Sequence, residues 1–143
     1  MTKDPVKVVI GNSCALFRAG VHAILVEEPS VTVLAEAENG TQLLAKTRYF
    51  HPDVVLIDVS FPDLNAVEVI HRLKALNHKI PVLLLTVSED EGLIRRCLDA
   101  GASGYLPRNC PASEMISAVN AVRRGHLPAR VWTALQPQLS RAV

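Results

Sequence analysis

The sequence predicts an α/β fold in which helices cover both faces of a parallel sheet of five strands. Three observations support this prediction. Five short apolar segments recur at similar spacing, segments with helical periodicity lie between them, and two of the apolar segments are hydrophobic without interruption. Strands that are apolar at every position are typical of a parallel sheet buried on both faces. The repeated order of strand and helix therefore predicts an open, doubly wound sheet.

The predicted strands differ in how clearly the sequence marks them. The third, DVVLID, and the fourth, PVLLLTV, consist of β-branched residues and leucine, whereas the fifth, near Gly104, is a weaker signal. The predicted strands cover residues 6–10, 31–35, 54–57, 82–86 and 104–106.

The predicted helices are marked by apolar residues at intervals of three or four, and their ends by capping residues. Ala100 and Gly101 provide a C-terminal stop before the fifth strand. The apolar series are Leu16, Gly20 and Ile24; Phe17, Val21 and Leu25; Val67, Ile70 and Leu73; and Met115 or Ile116 with Val119 and Val122. The pairs with capping-box spacing are Asn39 with Gln42, Asn65 with Glu68, and Ser88 with Glu91.

The composition indicates a packed domain rather than a disordered chain. Hydrophobic residues make up 49% of the 143 residues and charged residues 20%, and the formal net charge is +1. This balance argues against a polyanion-binding protein as a whole. No acid follows Glu114, whereas four arginines do, and we interpret this basic end as a solvated face or linker.

Cysteine and histidine usage predicts neither disulfides nor a metal site. The three cysteines have no C-x-x-C spacing, and the five histidines lack ligand spacing. No signal peptide and no apolar span of membrane-crossing length is present. We therefore expect a cytoplasmic protein with reduced thiols and no membrane contact.

Polar residues follow the predicted strands, at the edge of the sheet where ligands of doubly wound folds bind. Asn12 and Ser13 follow the first strand, Asp58 the third and Arg108 the fifth, and Thr86 ends the fourth. A carboxylate, a hydroxyl and a cation that converge are suited to phosphoryl chemistry, the carboxylate as nucleophile and the donors as phosphoryl ligands. The spacing alone does not separate a phosphoacceptor from an enzyme's acid or base.

Six segments, which together span about residues 5–125, form a recognisable set. They are VKVVI…ALFRAGV, AEAENG, HPDVVLIDVSFPDLNAVEVI, PVLLLTVSEDE, AGASGYL and AVRRG. These segments resemble the receiver domain of two-component response regulators, most of all the NarL/FixJ subfamily. The resemblance implies a flavodoxin-like (βα)5 fold with strand order 2-1-3-4-5.

The resemblance also implies roles for individual residues. Asp58 matches the phosphoacceptor, Thr86 the switch hydroxyl, Tyr105 the switch aromatic and Pro62 the loop proline, while Arg108 stands where the family has a phosphate-binding lysine. Core packing is the alternative for Tyr105.

At the end of the first strand the sequence departs from the family pattern. The family has two adjacent acids there, which hold Mg²⁺ together with the phosphoacceptor, whereas this chain has Asn12 and Ser13. Mg²⁺ prefers carboxylates and water, so we expect no resident cofactor and weak Mg²⁺ binding. Arginine favours a planar carboxylate partner, and we therefore predict an ion pair between Asp58 and Arg108 in the phosphate's place.

Three other residues are weaker functional candidates. Asp63 is interpreted as a turn-forming residue before the third helix rather than as part of the site. Cys14 is interpreted as a small buried residue rather than as a redox-sensitive thiol. Trp132 is expected to pack the tail onto the domain or onto a partner.

The leading hypothesis is an atypical receiver, impaired in Mg²⁺-dependent phosphorylation, that acts through homodimerisation or through control of an output domain. The alternatives are a conventional receiver phosphorylated on Asp58 by a histidine kinase, regulation by a small molecule, and a small hydrolase. The hydrolase has no nucleophile–base pair or glycine-rich phosphate loop in its favour, and we expect no enzyme.

The domain division places the receiver at residues 1–125 and a tail helix or linker at 126–143. Within the tail a short helix is predicted at 129–135. We prefer a receiver that belongs to a longer transcriptional regulator over a single-domain receiver. DNA contact is then expected only through a helix-turn-helix domain outside this chain.

Overall fold

The computed structural model describes residues 4–58, 60–86 and 90–126. Within them lies one parallel sheet in the order β2-β1-β3-β4-β5, with helices between successive strands. The predicted α/β class and strand order are confirmed. The elements are β1 (Val6–Gly11), α1 (Ala15–Val26), β2 (Val31–Ala37), α2 (Gly40–Phe50), β3 (Val54–Ile57), α3 (Ala66–Leu76), β4 (Val82–Thr86), α4 (Glu91–Ala100), β5 (Gly104–Pro107) and α5 (Ala112–Arg123).

The uninterrupted apolar strands are buried because each of their faces supports a separate core. Every residue of β3 and β4 is buried. Leu56 and Leu83 face the cluster that α1 and α5 cover, whereas Ile57 and Leu84 face the cluster beneath α2, α3 and α4. The period of two along each strand thus divides its side chains between the two cores.

The caps of three helices follow local sequence signals. The side chains of Asn39 and Asn65 accept hydrogen bonds from backbone N–H groups three residues on, as predicted for α2 and α3. Gly101 ends α4 with a φ of 123°, a conformation that favours glycine. The predicted Ser88 cap is wrong: α4 begins at Glu91, and Asp90 caps it by accepting from the N–H of Leu93.

Helix α1 buries only one of its two predicted apolar series. Val21 and Leu25 are buried and Phe17 packs beside them. Leu16 is 85% exposed and Ile24 38% exposed. Fourfold spacing keeps each series on one face of the helix, and the face with Phe17, Val21 and Leu25 is the one that packs on the sheet.

Residues 127–143 of the tail are not among the described residues. The helix predicted at 129–135 and the packing predicted for Trp132 fall outside the described residues. Within residues 4–58, 60–86 and 90–126, none of the helices combines the length and the apolar character that a membrane span requires.

Asp63 lies in the bend before α3, as predicted, and in addition caps α2 from a distance. Its carboxylate accepts hydrogen bonds from the backbone N–H groups of Gly40 and Thr41 at 2.9 Å and from the Thr41 hydroxyl at 2.7 Å. These bonds, the Thr41 hydroxyl first, lower the pKa of Asp63 from 3.8 to about 2. The acid thus satisfies two donors at the start of α2.

Asp63→Asn is expected to lower the free energy of unfolding at neutral pH. The free energy of unfolding of this variant is also expected to change less than that of wild type as the pH falls from 3.8 to about 2. Because the pKa of Asp63 is lower in the folded state, its stabilisation is complete above the ordinary pKa of 3.8 and is lost as the pH falls towards 2. Urea unfolding over this pH range measures the effect. Asp99→Asn, at an exposed position on α4, is the control; a difference from wild type that persists unchanged to the lowest pH contradicts the prediction.

Candidate functional site

The polar residues nominated from the sequence meet at the carboxyl edge of the sheet. Asn12, Asp58 and Thr86 are each no more than 2% exposed. Backbone hydrogen bonds connect their segments: the N–H of Asp58 donates to the carbonyl of Gly11, and the N–H of Arg108 donates to the carbonyl of Thr86. The ends of β1, β3, β4 and β5 therefore form one site.

The corner after β1 uses its polar groups for its own structure. Asn12 Oδ1 accepts a hydrogen bond from the N–H of Cys14 at 2.8 Å, which forms an Asx-turn. The Ser13 hydroxyl donates to the carbonyl of Ser60 at 2.9 Å. Both oxygens that the corner offers in place of carboxylates therefore have protein partners.

The interpretation of Cys14 as a buried residue is wrong. Its side chain is exposed, because it occupies the N-cap position of α1 and the chain there faces away from the core. The N-cap makes no side-chain hydrogen bond to the helix, so the Asx-turn of Asn12 sets the start of α1 instead.

Arg108 joins the site to helix α1. Its Nη2 donates to Oδ2 of Asp58, so the structure contains the ion pair that the sequence suggested. The Asp58 side chain is fully buried and that of Arg108 is 25% exposed. The guanidinium carbon lies 4.7 Å from the centre of the Phe17 ring on α1, a cation–π distance. A buried carboxylate and a stacked guanidinium therefore occupy the centre of the site.

The two residues matched to the family's switch lie on neighbouring strands. Thr86 is the last residue of β4 and is paired in register with Pro107 of β5. Tyr105 is half-buried and packs with the core beneath α2, α3 and α4. Pro62 is exposed in the bend after β3.

The donor set fits a divalent metal poorly. Within the described ranges, no group of three or more His, Cys, Asp or Glu side chains is placed to hold a metal ion. Asp58 supplies a carboxylate, but Arg108 already binds it. Mg²⁺ sites in proteins are built on one or two carboxylates with room for several waters, and a guanidinium competes for the same oxygens.

The sequence analysis did not predict the ion pair between Arg18 of α1 and Glu36 of β2. Arg18 donates to the carbonyl of Asn12 at 2.5 Å, and its Nε lies 3.3 Å from Glu36. Nδ1 of His22 lies 2.8 Å from the same carboxylate. Arg18 and His22 are the only ionisable residues of α1 and are four positions apart, which is a signal for a shared partner. Arg18 thus fixes the corner after β1 from outside the site.

Comparison with known proteins agrees with the fold. The chain matches the response regulator receiver domain over residues 9–120. It is 34% identical over 125 residues to the transcriptional regulatory protein DegU of Brevibacillus brevis, covering 87% of this chain and 53% of that protein. It is 32% identical over 120 residues to the response regulator GacA of Pseudomonas syringae pv. syringae, covering 84% of this chain and 56% of that protein.

Solved structures show the same architecture. The signal receiver domain of the response regulator NarL from Mycobacterium tuberculosis superposes with a TM-score of 0.81 at 28% identity, covering 87% of this chain and 100% of that one. The isolated receiver of RcsB from Salmonella enterica, at 19% identity and a TM-score of 0.81, covers 92% of this chain and 99% of that one and shares the fold. This chain spans little more than half the length of DegU and GacA. Because residues 9–120 match the receiver domain family, the chain belongs to the receiver domains of response regulators, the modules of two-component signalling found in NarL- and LuxR-type transcriptional regulators.

Proposed function

We propose that this chain is an atypical receiver in which Mg²⁺-dependent phosphorylation of Asp58 is impaired. The observation that carries the proposal is the ion pair between the buried Asp58 carboxylate and Arg108. A phosphoacceptor attacks with a carboxylate oxygen. A guanidinium bound to that carboxylate blocks the approach of the phosphoryl group, and it also lowers the nucleophilicity of the carboxylate oxygen. Arg108 stands where a phosphoryl group would be bound in a conventional receiver.

The corner after β1 supports the same proposal. Phosphoryl transfer depends on metal ions that neutralise the charge developing on the phosphoryl oxygens. Asn12 and Ser13 carry no charge, and their side-chain oxygens have protein partners. A unit charge pair about 4 Å apart is worth about 4 kcal/mol at an effective dielectric of about 20, so lost ligand charges weaken Mg²⁺ binding by orders of magnitude.

The proposed output is a change in protein–protein contact. The chain covers about half the length of the transcriptional regulators DegU and GacA, so we propose an attached DNA-binding domain as one partner. A second copy of the receiver and a histidine kinase are the other partners that we propose. Thr86 and Tyr105 are proposed to couple the state of the Asp58–Arg108 pair to β4 and β5. The signal then depends on whether the pair is closed or open.

A conventional receiver is the second candidate, because a specific observation favours it. Asp58 and Thr86 are both buried at the sheet edge, where a phosphoacceptor and a switch hydroxyl are required. In that case, phosphorylation would have to displace Arg108 without a strong metal site.

Incubating the chain with acetyl phosphate over a Mg²⁺ titration, and recording the intact mass, separates the two candidates. The atypical receiver is expected to gain no phosphoryl group at millimolar Mg²⁺. Asp58→Ala is the control for phosphorylation at other sites. A phosphorylated species that saturates with Mg²⁺ and disappears in Asp58→Ala overturns the proposal in favour of the conventional receiver.

A further inference from the structure

A cavity of about 360 Å³ lies beside the site, between the start of α1, the end of β4 and the start of α5. Its walls are largely apolar and include Phe17, Val21, Leu85 and Met115. Pockets that bind small molecules have volumes of about 300–1,000 Å³, apolar walls and a few polar groups that fix orientation. The cavity satisfies the first two conditions.

Arg108 supplies the polar group, and among the described residues it is the one charged member of the cavity lining. Its Nη2 bonds to Asp58, and its guanidinium lies over Phe17, another wall residue. The Nε atom is buried, and among residues 4–58, 60–86 and 90–126 it has no hydrogen-bond partner. A buried donor without an acceptor is rare and costly, so this nitrogen indicates an acceptor supplied from elsewhere.

The outer rim of the cavity consists of apolar residues on α1. Leu16, Gly20 and Ile24 line the cavity and face outward. Apart from the chain neighbours of Gly20 and the nearby backbone of α1, no atom of the described residues lies within 4 Å of a Cβ built on Gly20. The exposed residues of α1 carry no charge. A ligand can therefore pass between α1 and α5 and bury an apolar body against this face.

We propose that the cavity binds a small amphipathic monocarboxylate, with its apolar body between α1 and α5 and its carboxylate at Arg108. A guanidinium binds a planar carboxylate in a forked geometry. A phosphate dianion fits less well, because the cavity walls do not solvate its charge and Asp58 repels it.

The ligand and Asp58 then compete for the same guanidinium. A carboxylate at Arg108 supplies hydrogen-bond acceptors to the guanidinium and weakens its interaction with Asp58. Binding of the ligand in the cavity therefore favours the open state of the Asp58–Arg108 pair. Asp58→Asn removes the competing anion. It is therefore expected to raise the affinity for a carboxylate and to leave the affinity for an uncharged analogue unchanged.

Titration calorimetry of the chain with hexanoate, octanoate and decanoate, and with 1-octanol, tests the proposal. One carboxylate is expected per chain, with affinity rising about fourfold per added methylene until the cavity is full. Octanol is expected to bind at least about tenfold more weakly than octanoate, because it makes no charge-assisted hydrogen bond. Equal affinity for octanoate and octanol, or binding of octanoate without saturation, overturns the proposal.

Two matched variants test the position of the ligand. Gly20→Leu places a side chain in open space at the cavity wall, whereas Ala23→Leu adds the same side chain to an exposed position of α1 outside the lining. Both changes suit a helix, since leucine is a strong helix former. Gly20→Leu is expected to weaken octanoate binding at least about tenfold while Ala23→Leu leaves it unchanged, since filling the space excludes the ligand. Equal binding by the two variants places the ligand elsewhere and overturns the proposal.

The cysteines provide an internal reporter. Cys14 lines the cavity and is exposed, whereas Cys97 is buried, and burial raises the pKa of its thiol. Octanoate is expected to slow iodoacetamide modification of Cys14 and to leave the slow modification of Cys97 unchanged. Protection of Cys14 that grows with protein concentration and is unaffected by octanoate shows a second copy of the chain on this face, which overturns the small-molecule site. These measurements use no phosphodonor, so their failure leaves the proposed function intact.

Discussion

Replacing Asn12 and Ser13 with aspartate and Arg108 with lysine is expected to raise the rate of Asp58 phosphorylation at least about a hundredfold. The two aspartates return the charge that a divalent ion needs, and lysine removes the forked partner of Asp58 while keeping a cation for the phosphoryl oxygens. Acetyl phosphate labelling with Mg²⁺, followed by intact mass, measures the rate. The same triple variant with Asp58→Asn is the matched control and is expected to remain unlabelled.

Intermediate variants separate the two obstacles. Arg108→Lys alone frees Asp58 but leaves an uncharged metal corner, and the two aspartates alone leave Asp58 paired. Each is expected to gain less than the triple variant, and the gains are expected not to add because the groups act on one phosphoryl group. A triple variant that binds Mg²⁺ but is not labelled shows that neither the pair nor the corner limits phosphorylation.

The free energy of unfolding provides a second test of Mg²⁺ binding by the triple variant. Three neighbouring carboxylates repel one another, so the free energy of unfolding is expected to fall when Mg²⁺ is absent. An ion that binds only the folded state restores about 2.7 kcal/mol at a hundred times its dissociation constant. Wild type is expected to show no such dependence on Mg²⁺.

Breaking the ion pair from the cationic side is expected to have the largest effect on stability. Arg108→Met keeps an unbranched apolar stem against Phe17 but leaves the Asp58 carboxylate without its guanidinium. Removing one partner of a buried pair costs about 3–5 kcal/mol. Because Arg108 is 25% exposed, we expect about 3 kcal/mol, measured by urea unfolding at neutral pH.

The double variant shows where this cost originates. Adding Asp58→Asn to Arg108→Met removes the buried charge, and most of the lost stability is expected to return. Asp53→Asn, a half-buried carboxylate at the opposite end of β3, is the matched control and is expected not to rescue Arg108→Met. If Asp58→Asn rescues no better than this control, the loss in Arg108→Met comes from packing at Phe17 rather than from charge.

Local patterns in the sequence predicted most of the fold. Apolar β-branched segments marked the strands, and side-chain caps such as Asn39 and Asn65 act within three residues, so short segments contained the information. The Ser88 cap was wrong because a second capping residue, Asp90, follows two positions later and competes for the same helix end. Spacing alone does not rank two adequate caps.

The site was predicted in part, for a related reason. Parallel strands bring their carboxyl ends to one edge, so Asn12, Asp58, Thr86 and Arg108 were placed together by topology. The contact of Asp63 with α2 joins residues 22 and 23 positions apart and depends on how two loops are oriented. No periodic pattern encodes such an orientation, and the exposure of Cys14 was missed for the same reason.

The Asp58–Arg108 pair also bears on how long a signal lasts. An aspartyl phosphate is a covalent mark, and its lifetime is set by hydrolysis or by a phosphatase. An ion pair forms and breaks by rotation of side chains and small movements of loops, which take roughly picoseconds to microseconds. A receiver governed by such a pair has no chemical memory of its stimulus, and its response ends as soon as the partner that opened the pair dissociates.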